Sequence, residues 1–161
     1  MFSHTGSDSR YFNREGRYGE GGAYRDPNSP YRSWYDFDSK YKGGYRSWWG
    51  FETLPEVNEE TPSYVEFITG EGGVIDTWLR RGAAGFRLDV ADELPDEFIE
   101  KVRTAVKRVG PDKFLLGEVW EDATTKFGFD KRRTYLLGKG LDSVMNYPFK
   151  NAVLGLSLIH I

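Results

Sequence analysis

The sequence has no cysteine, which excludes disulfides and thiolate chemistry and leaves the redox compartment undetermined. It has no apolar run of about 18 residues and no signal-peptide pattern, so we expect neither a membrane span nor an export signal. The net charge is only −3, and this slightly acidic balance argues against a nucleic acid as partner. The compartment stays open, with the cytoplasm favoured.

The stretch from Gly85 to Glu118 carries the most informative pattern. An apolar run from Gly85 to Val90 is followed by a helical pattern and then by a second apolar run, Lys113 to Gly117. Strand, helix and strand with a short crossover form a βαβ unit, and such units build parallel sheets. The sequence therefore predicts a parallel α/β fold around this stretch.

The helix inside this unit is predicted to begin with an acidic turn at Pro95 and to end at Gly110. Its buried stripe comprises Phe98, Val102, Ala105 or Val106, and Val109. The basic residues Lys101, Lys107 and Arg108 are predicted to form a solvated face and not a site. Two further segments are predicted to be helical: one that starts at Thr61 and Pro62 and breaks near Gly70, and a short basic one over residues 123–138.

Both predicted strands end on a carboxylate, Asp89 and Glu118. Parallel strands are covered on both faces and are nearly all apolar, so charges at their ends need a reason. Arg87 lies two residues before Asp89 and points the same way, where a guanidinium favours the ionised carboxylate. Glu118 has no cation nearby in the sequence and has apolar neighbours, so we expect burial to raise its pKa and keep it protonated.

One ionised and one protonated carboxylate is the arrangement that glycoside hydrolysis needs. The alternative is a structural Arg-Asp pair together with an acid that caps a helix.

Two short segments resemble signature regions of the α-amylase family, glycoside hydrolase family 13: GFRLDVADEL and FLLGEVWEDA. The combination is specific, because both segments occur in the right order at the right separation. The resemblance implies that Asp89 is the nucleophile, that Glu118 is the general acid/base and that Arg87 is the fixed partner of Asp89. It also implies a (β/α)8 barrel whose strand ends form the floor of the active site.

The first residues resemble the end of the family's third barrel strand. By this resemblance His4 binds the sugar in the first subsite, whereas a lone histidine near a terminus is otherwise a solvated side chain. Ser3 occupies a position that is often an asparagine calcium ligand in the family. Ser3 therefore weakens a calcium site, so no metal and no cofactor is assigned, and calcium stays open as possible but unsupported.

Residues 5–58 have little helix or strand periodicity, but more than half of the aromatic residues fall within the first 51 positions. A disordered tail is poor in aromatics, so we expect this segment to pack. Tyr45, Trp48 and Trp49 are candidates for stacking on sugar rings. The segment Leu54–Asn58 resembles a family pentapeptide of the neopullulanase and cyclomaltodextrinase type.

Three other candidate substrate contacts follow from the resemblance. Glu93 matches an acid that contacts the sugar near the bond being cut, although a charge at a helix N-terminus explains it equally well. Trp120 is expected on the leaving-group side. Asn146 lies in the turn after a segment that resembles the sixth strand, Leu141–Phe149.

The predicted fold class is α/β, a partial (β/α)8 TIM barrel of about strands 3 to 6 with an irregular, aromatic-rich insertion after strand 3. A complete barrel takes about 250 residues, more than the 161 here. Residues 1–4 are assigned to the end of strand 3, 5–58 to the insertion, 59–154 to the barrel core with strands 4, 5 and 6, and 155–161 to a truncated tail outside the family and outside the fold. His160, in that tail, is predicted to have no function.

The implied function is a retaining hydrolase of α-linked glucans of the maltodextrin, cyclodextrin or pullulan type. The family's third carboxylate, in an Asn-His-Asp motif, does not occur in this sequence, so the alternative is an inactive fragment with weak glucan binding. A phosphate-binding module is disfavoured because no Gly-rich strand-to-helix turn is present. The linkage, hydrolysis versus transfer, and the oligomeric state stay open.

Overall fold

The computed structural model describes residues 2–159 of the chain, so His160 lies outside the described residues. The chain divides into two compact units, Met1–Phe67 and Ile68–Ile161. Within residues 2–159, no helix has both the length and the apolar character needed to cross a membrane.

The first unit is irregular, as its lack of periodicity predicted. Its helical turns are three short 3-10 segments, Arg32–Trp34, Lys42–Gly44 and Trp48–Gly50. The unit packs around an aromatic core in which Phe12 and Tyr45 are fully buried. Because the Tyr45 ring is enclosed, the prediction that it offers a face to a sugar is wrong.

The helices and strands follow one another along the chain in this order: α1 (Pro62–Thr69), α2 (Val74–Arg80), β1 (Gly85–Leu88), α3 (Asp96–Val109), β2 (Phe114–Gly117), β3 (Phe127–Gly128), β4 (Lys131–Arg132), β5 (Ser143–Val144) and α4 (Tyr147–Ile159). The interruption between α1 and α2 confirms the break predicted near Gly70.

The second unit contains a parallel sheet with the strand order β1-β2-β5. The βαβ unit is confirmed, with Arg87 opposite Leu116 and Leu88 opposite Gly117 in the register. Gly85 is required at the start of β1, because a Cβ there would clash with the Phe114 carbonyl of the neighbouring strand. The predicted stripe of α3 is buried at Phe98, Val102, Ala105 and Val106, whereas Val109 is only half-buried and Ile99, which was not predicted, is fully buried.

Of the three basic residues of α3 that were predicted to be solvated, Lys101 and Arg108 are exposed, but Lys107 and Arg108 also bind carboxylates of neighbouring segments. Asp142, which precedes β5, accepts from Arg103 Nη1 at 2.6 Å and from Lys107 Nζ at 2.7 Å. Its carboxylate also accepts the Leu115 backbone N–H of β2 at 2.8 Å. Arg108 pairs with the buried Asp76 of α2 at 2.7 Å. These ion pairs join α3 to α2 and to the segment before β5. The sequence pattern of α3 alone does not reveal them, because the carboxylates lie on other segments.

Residues 123–138 contain no helix, so that prediction is wrong. A hairpin of β3 and β4 replaces it, and its two turn residues, Phe129 and Asp130, have φ angles of 53° and 57°. Two consecutive residues with positive φ are typical of a two-residue hairpin turn. Arg133, directly after β4, is buried and pairs with Asp96 at 2.9 Å.

The segment after β5 is helical. Helix α4 continues through Gly155 to Ile159, a stretch that the sequence analysis placed outside the fold. Much of its described surface is exposed and apolar, with Phe149, Val153, Leu154 and Leu156 each at least 47% exposed.

Candidate active site

Arg87 joins the two carboxylates that the sequence singled out. Its Nη1 contacts Asp89 Oδ1, and its Nη2 lies 2.7 Å from Oε1 of Glu118. Asp89 and Glu118 directly follow the neighbouring strands β1 and β2, so the parallel pairing places them at the same edge of the sheet. Because both nitrogens belong to one planar group, the two carboxylates lie close together around a single cation.

Glu118 is buried, and each oxygen of its carboxylate has a partner. Oε2 accepts the backbone N–H of Val90 at 3.0 Å, and Oε1 accepts the phenol O–H of Tyr147 at 3.1 Å. Burial raises the pKa of Glu118, but hydrogen bonds from Val90, Trp120 and Tyr147 and the charge of Arg87 outweigh it, so this pKa lies below its usual value. The expectation of a raised pKa is therefore wrong, because Arg87 and three donors converge on a group that has no cation near it in the sequence.

Val90 has a strained backbone at this site. Its φ and ψ are 45° and 53°, a left-handed conformation that is unusual for a β-branched residue and costs about 1–3 kcal/mol. The conformation aims its N–H at Glu118 Oε2, and the next N–H, that of Ala91, binds the Glu118 backbone carbonyl at 2.9 Å. Two hydrogen bonds thus join the turn after β1 to Glu118, the residue after β2.

Tyr147 is a site residue that the sequence analysis missed. It is the first residue of α4 and lies 29 positions after Glu118, so no local spacing connects the two. The available signal was the resemblance of Leu141–Phe149 to a family segment, which directed attention to the adjacent Asn146.

The other candidates in the second unit occupy different environments. Trp120 is 43% exposed and donates to Glu118. Glu93 is half-buried at the end of a 3-10 turn, Ala91–Glu93. The Asn146 side chain is used as a helix cap, because its Oδ1 accepts the Phe149 N–H at 2.9 Å in the first turn of α4.

The candidates in the first unit form a column of rings. His4 is buried, with Ser3 Oγ 3.0 Å from its Nδ1, so the alternative of a solvated histidine does not apply. The His4 ring stacks on Trp48 with centroids 5.3 Å apart, and Trp48 stacks on Trp49 at 4.8 Å. Trp49 is 62% exposed and has a φ of 51°. The outer ring of the column is therefore open to solvent.

Over residues 2–159, no group of three or more His, Cys, Asp or Glu side chains is placed to hold a metal ion. The chemistry that the site can perform with its own residues is that of two carboxylates beside a shared cation. Asp89 is the more exposed of the two and can reach a bound molecule, whereas Glu118 is held by donors on both of its oxygens.

The chain is similar to proteins of a known family. The family model of the alpha-amylase catalytic domain matches residues 1–158. The chain is 35% identical to an amylopullulanase of Thermoanaerobacterium saccharolyticum over 96% of its own length and 13% of that protein. It is 40% identical to a cyclomaltodextrinase of a Bacillus species over 65% of its own length and 17% of that protein.

Among solved structures, Ttha1563 from Thermus thermophilus superposes with a TM-score of 0.72 at 36% identity, covering 96% of this chain and 30% of that one. The chain thus spans less than a third of each of these proteins. With the family model matched over almost the whole chain, this protein belongs to the alpha-amylase catalytic domain family.

Proposed function

We propose that this chain carries the nucleophile and the general acid/base of a retaining hydrolase of α-linked glucans. The observation that carries the proposal is the contact of one guanidinium, that of Arg87, with both Asp89 and Glu118. The two curated relatives are named as hydrolases of this class, which supports pullulan, maltodextrin or cyclomaltodextrin as the substrate.

The proposed architecture is the central part of a (β/α)8 barrel. The parallel order β1-β2-β5 and the helix between β1 and β2 support it, since consecutive parallel strands with helical crossovers build such barrels. In that frame β1, β2 and β5 are barrel strands 4, 5 and 6, and residues 5–58 are the irregular insertion after strand 3. The carboxyl ends of the strands carry the site.

The proposed mechanism is a double displacement. In the fraction of molecules whose Glu118 carries a proton, Asp89 attacks the anomeric carbon while Glu118 gives that proton to the glycosidic oxygen, which leaves with the first sugar. Ionised Glu118 then takes a proton from water, the water oxygen bonds to the same carbon, and Asp89 is released. The retaining reaction needs carboxyl groups about 5–5.5 Å apart, and attachment of both groups to one guanidinium supports this close spacing.

The proposed substrate contacts are His4, Trp49, Glu93, Trp120 and Asn146. Trp49 offers an exposed ring, and Trp120 is exposed beside Glu118. For the 161-residue chain alone we propose glucan binding without turnover, since its sequence lacks the family's third carboxylate.

A chimaera tests the catalytic roles in an assembled enzyme. The 161-residue chain replaces the segment with which it aligns in the Thermoanaerobacterium saccharolyticum amylopullulanase, and the product is assayed on pullulan and maltodextrin. We expect hydrolysis with the α-anomer released first, as followed by proton NMR. In the same chimaera, Glu118→Gln is expected to lower kcat by a factor on the order of 10² to 10⁴, and Asp89→Asn by at least as much.

The matched control is Asp112→Asn, which changes an exposed carboxylate in the turn after α3 and should leave kcat unchanged. A soluble chimaera that releases the β-anomer first contradicts the retaining mechanism. Full activity in both site variants contradicts the assigned roles.

A further inference from the structure

A group that acts first as an acid and then as a base must be held in place both with and without its proton. We propose that Tyr147 is the positioning residue that does this for Glu118, donating to the ionised carboxylate and accepting from the protonated one. The proposal rests on the function proposed above for Glu118. It assigns to Tyr147 a role that neither the sequence patterns nor the similarity to relatives provides.

The contacts of Glu118 determine which oxygen carries the acid proton. Oε2 accepts the backbone N–H of Val90 at 3.0 Å. A backbone N–H can only donate, so Oε2 serves best as the carbonyl oxygen of the neutral carboxyl group. Oε1 also faces a donor, Arg87, but it has in addition the Tyr147 phenol, which can accept, so the proton of the acid form belongs on Oε1.

The partners of Oε1 differ in what they can do with that proton. Arg87 Nη2 lies 2.7 Å from Oε1, and a guanidinium is a donor that stays charged. The indole of Trp120, which also bonds to the Glu118 carboxylate, is a donor only. The phenol of Tyr147, 3.1 Å from Oε1, can both donate and accept. Of these partners, Tyr147 alone matches Glu118 in both protonation states.

Tyr147 is anchored to the strand that leads to Glu118. The Met145 N–H donates to the carbonyl of Gly117, the residue before Glu118, at 2.9 Å, and the Tyr147 N–H donates to the Met145 carbonyl at 3.0 Å. The Asn146 cap fixes the first turn of α4. The phenol and the carboxylate thus share one rigid support, as a positioning contact requires.

The charged groups around the phenol are Glu118, Arg87 and Asp89, and Lys150 Nζ lies 5.1 Å from the centroid of its ring. Burial raises the pKa of Tyr147, and the hydrogen bond to Glu118 and its negative charge raise it further. The phenol therefore keeps its proton throughout the pH range in which a carboxylate titrates, and it can switch from donor to acceptor by rotation of the O–H bond.

The test is a carbon-13 NMR titration of the Glu118 Cδ in the 161-residue chain, with Glu118→Gln used to assign the signal. In Tyr147→Phe the midpoint of the Glu118 titration is expected to move to higher pH. The lost hydrogen bond is stronger to the charged carboxylate than to the neutral carboxyl group, so its removal disfavours the ionised form. The control is Tyr41→Phe, which removes a phenol that donates to the exposed Asp36 at 2.8 Å and should leave the midpoint unchanged. A Tyr147→Phe curve that coincides with the wild-type curve overturns the proposal.

A reciprocal measurement covers the case in which Tyr147→Phe does not fold, as judged by far-UV circular dichroism. In Glu118→Gln, the Cζ signal of Tyr147 should titrate at a lower pH than in the wild-type chain, since a negative charge next to the phenol is lost. An unchanged Tyr147 titration overturns the proposal. Neither titration requires turnover, so an inactive chimaera contradicts the proposed hydrolysis without changing these results, and an active chimaera with unchanged titrations contradicts only the role of Tyr147.

Discussion

The guanidinium of Arg87 reaches from β1 to the residue after the neighbouring strand, with its Nη2 2.7 Å from Glu118 Oε1. In the sheet register Arg87 is opposite Leu116, two residues before Glu118. Side chains two apart on a strand point the same way, so the parallel pairing brings this cation to Glu118 as well as to Asp89. The single positive charge of Arg87 therefore pairs with both carboxylates.

The first prediction concerns that shared charge. Arg87→Met is expected to raise the pKa of Glu118, and Arg87→Lys is expected to raise it less because a cation remains. The folded pKa of Glu118 is below its unfolded value, so its contribution to stability is present above the unfolded pKa and is lost as the pH falls through the folded pKa. Carbon-13 NMR titration measures the change, and an unchanged midpoint in Arg87→Met would show that the ion pair does not act on Glu118.

The second prediction concerns Asp142. Burial raises its pKa, but Lys107, Arg103 and the Leu115 N–H outweigh this and lower the pKa from 3.8 to about 2. The stabilisation is thus complete above about pH 4 and is lost as the pH falls toward 2. Asp142→Asn is expected to lower the free energy of unfolding at pH 7 by about 1–2 kcal/mol after allowance for solvent screening.

Urea unfolding at a series of pH values checks the Asp142 prediction. The difference between Asp142→Asn and wild type should shrink below pH 4, and Asp112→Asn, an exposed control, should show no difference at any pH. A constant difference down to pH 2 would mean that the charge of Asp142 is not its source.

The third prediction concerns the ion pair of Arg133 and Asp96, whose side chains are 0% and 4% exposed. Arg133 also donates to the carbonyls of Asp92 and Leu94 in the loop after β1. Removal of one partner leaves a buried charge unpaired, so Arg133→Met should lower the free energy of unfolding by about 3–5 kcal/mol. The exposed pair of Lys131 and Glu97 is the control, and Lys131→Met should have little effect.

A double-mutant cycle separates the pair from its surroundings. Addition of Asp96→Asn to Arg133→Met should cost much less than Asp96→Asn alone, because the two changes remove the same interaction. Additive effects would indicate that the backbone contacts of Arg133, and not the ion pair, carry the stability.

The fourth prediction concerns glucan binding by the 161-residue chain. Trp49 is 62% exposed and is backed by Trp48, so Trp49→Ala should weaken maltodextrin binding by about 2- to 10-fold. Trp78→Ala, which removes a comparably exposed indole on α2, is the control. Calorimetry measures the affinity, and a reducing-sugar assay should detect negligible hydrolysis. Turnover that Asp89→Asn abolishes would show that the chain is active by itself.

The fifth prediction distinguishes two roles of Asn146. Because Asn146 caps α4, its replacement by alanine should lower the free energy of unfolding by about 1 kcal/mol, and its replacement by aspartate or serine should lower it by much less. Urea unfolding of the three variants checks this order. Equal stability of Asn146→Ala and wild type would mean that the cap is dispensable and would leave substrate contact as the role of the side chain.

The sequence by itself determined the βαβ unit and the two carboxylates at its strand ends. The apolar runs and the stripe of α3 are local patterns whose periods match strands and a helix, so β1, α3 and β2 could be predicted from them. The period of two placed Arg87 beside Asp89 for the same reason. The packing of the first unit also followed from its composition, because so many aromatic rings favour burial.

The tertiary structure decided how these residues are used. Glu118 has its cation on the neighbouring strand and its phenol 29 residues away, which reversed the expected direction of its pKa shift. The hairpin in residues 123–138 is a second example. It is followed directly by the buried Arg133, which binds a loop about 40 residues earlier in the chain. Local patterns fix which segments are strands and helices, but pKa values and ion pairs depend on atoms that only the register and packing of distant segments bring within a few ångströms.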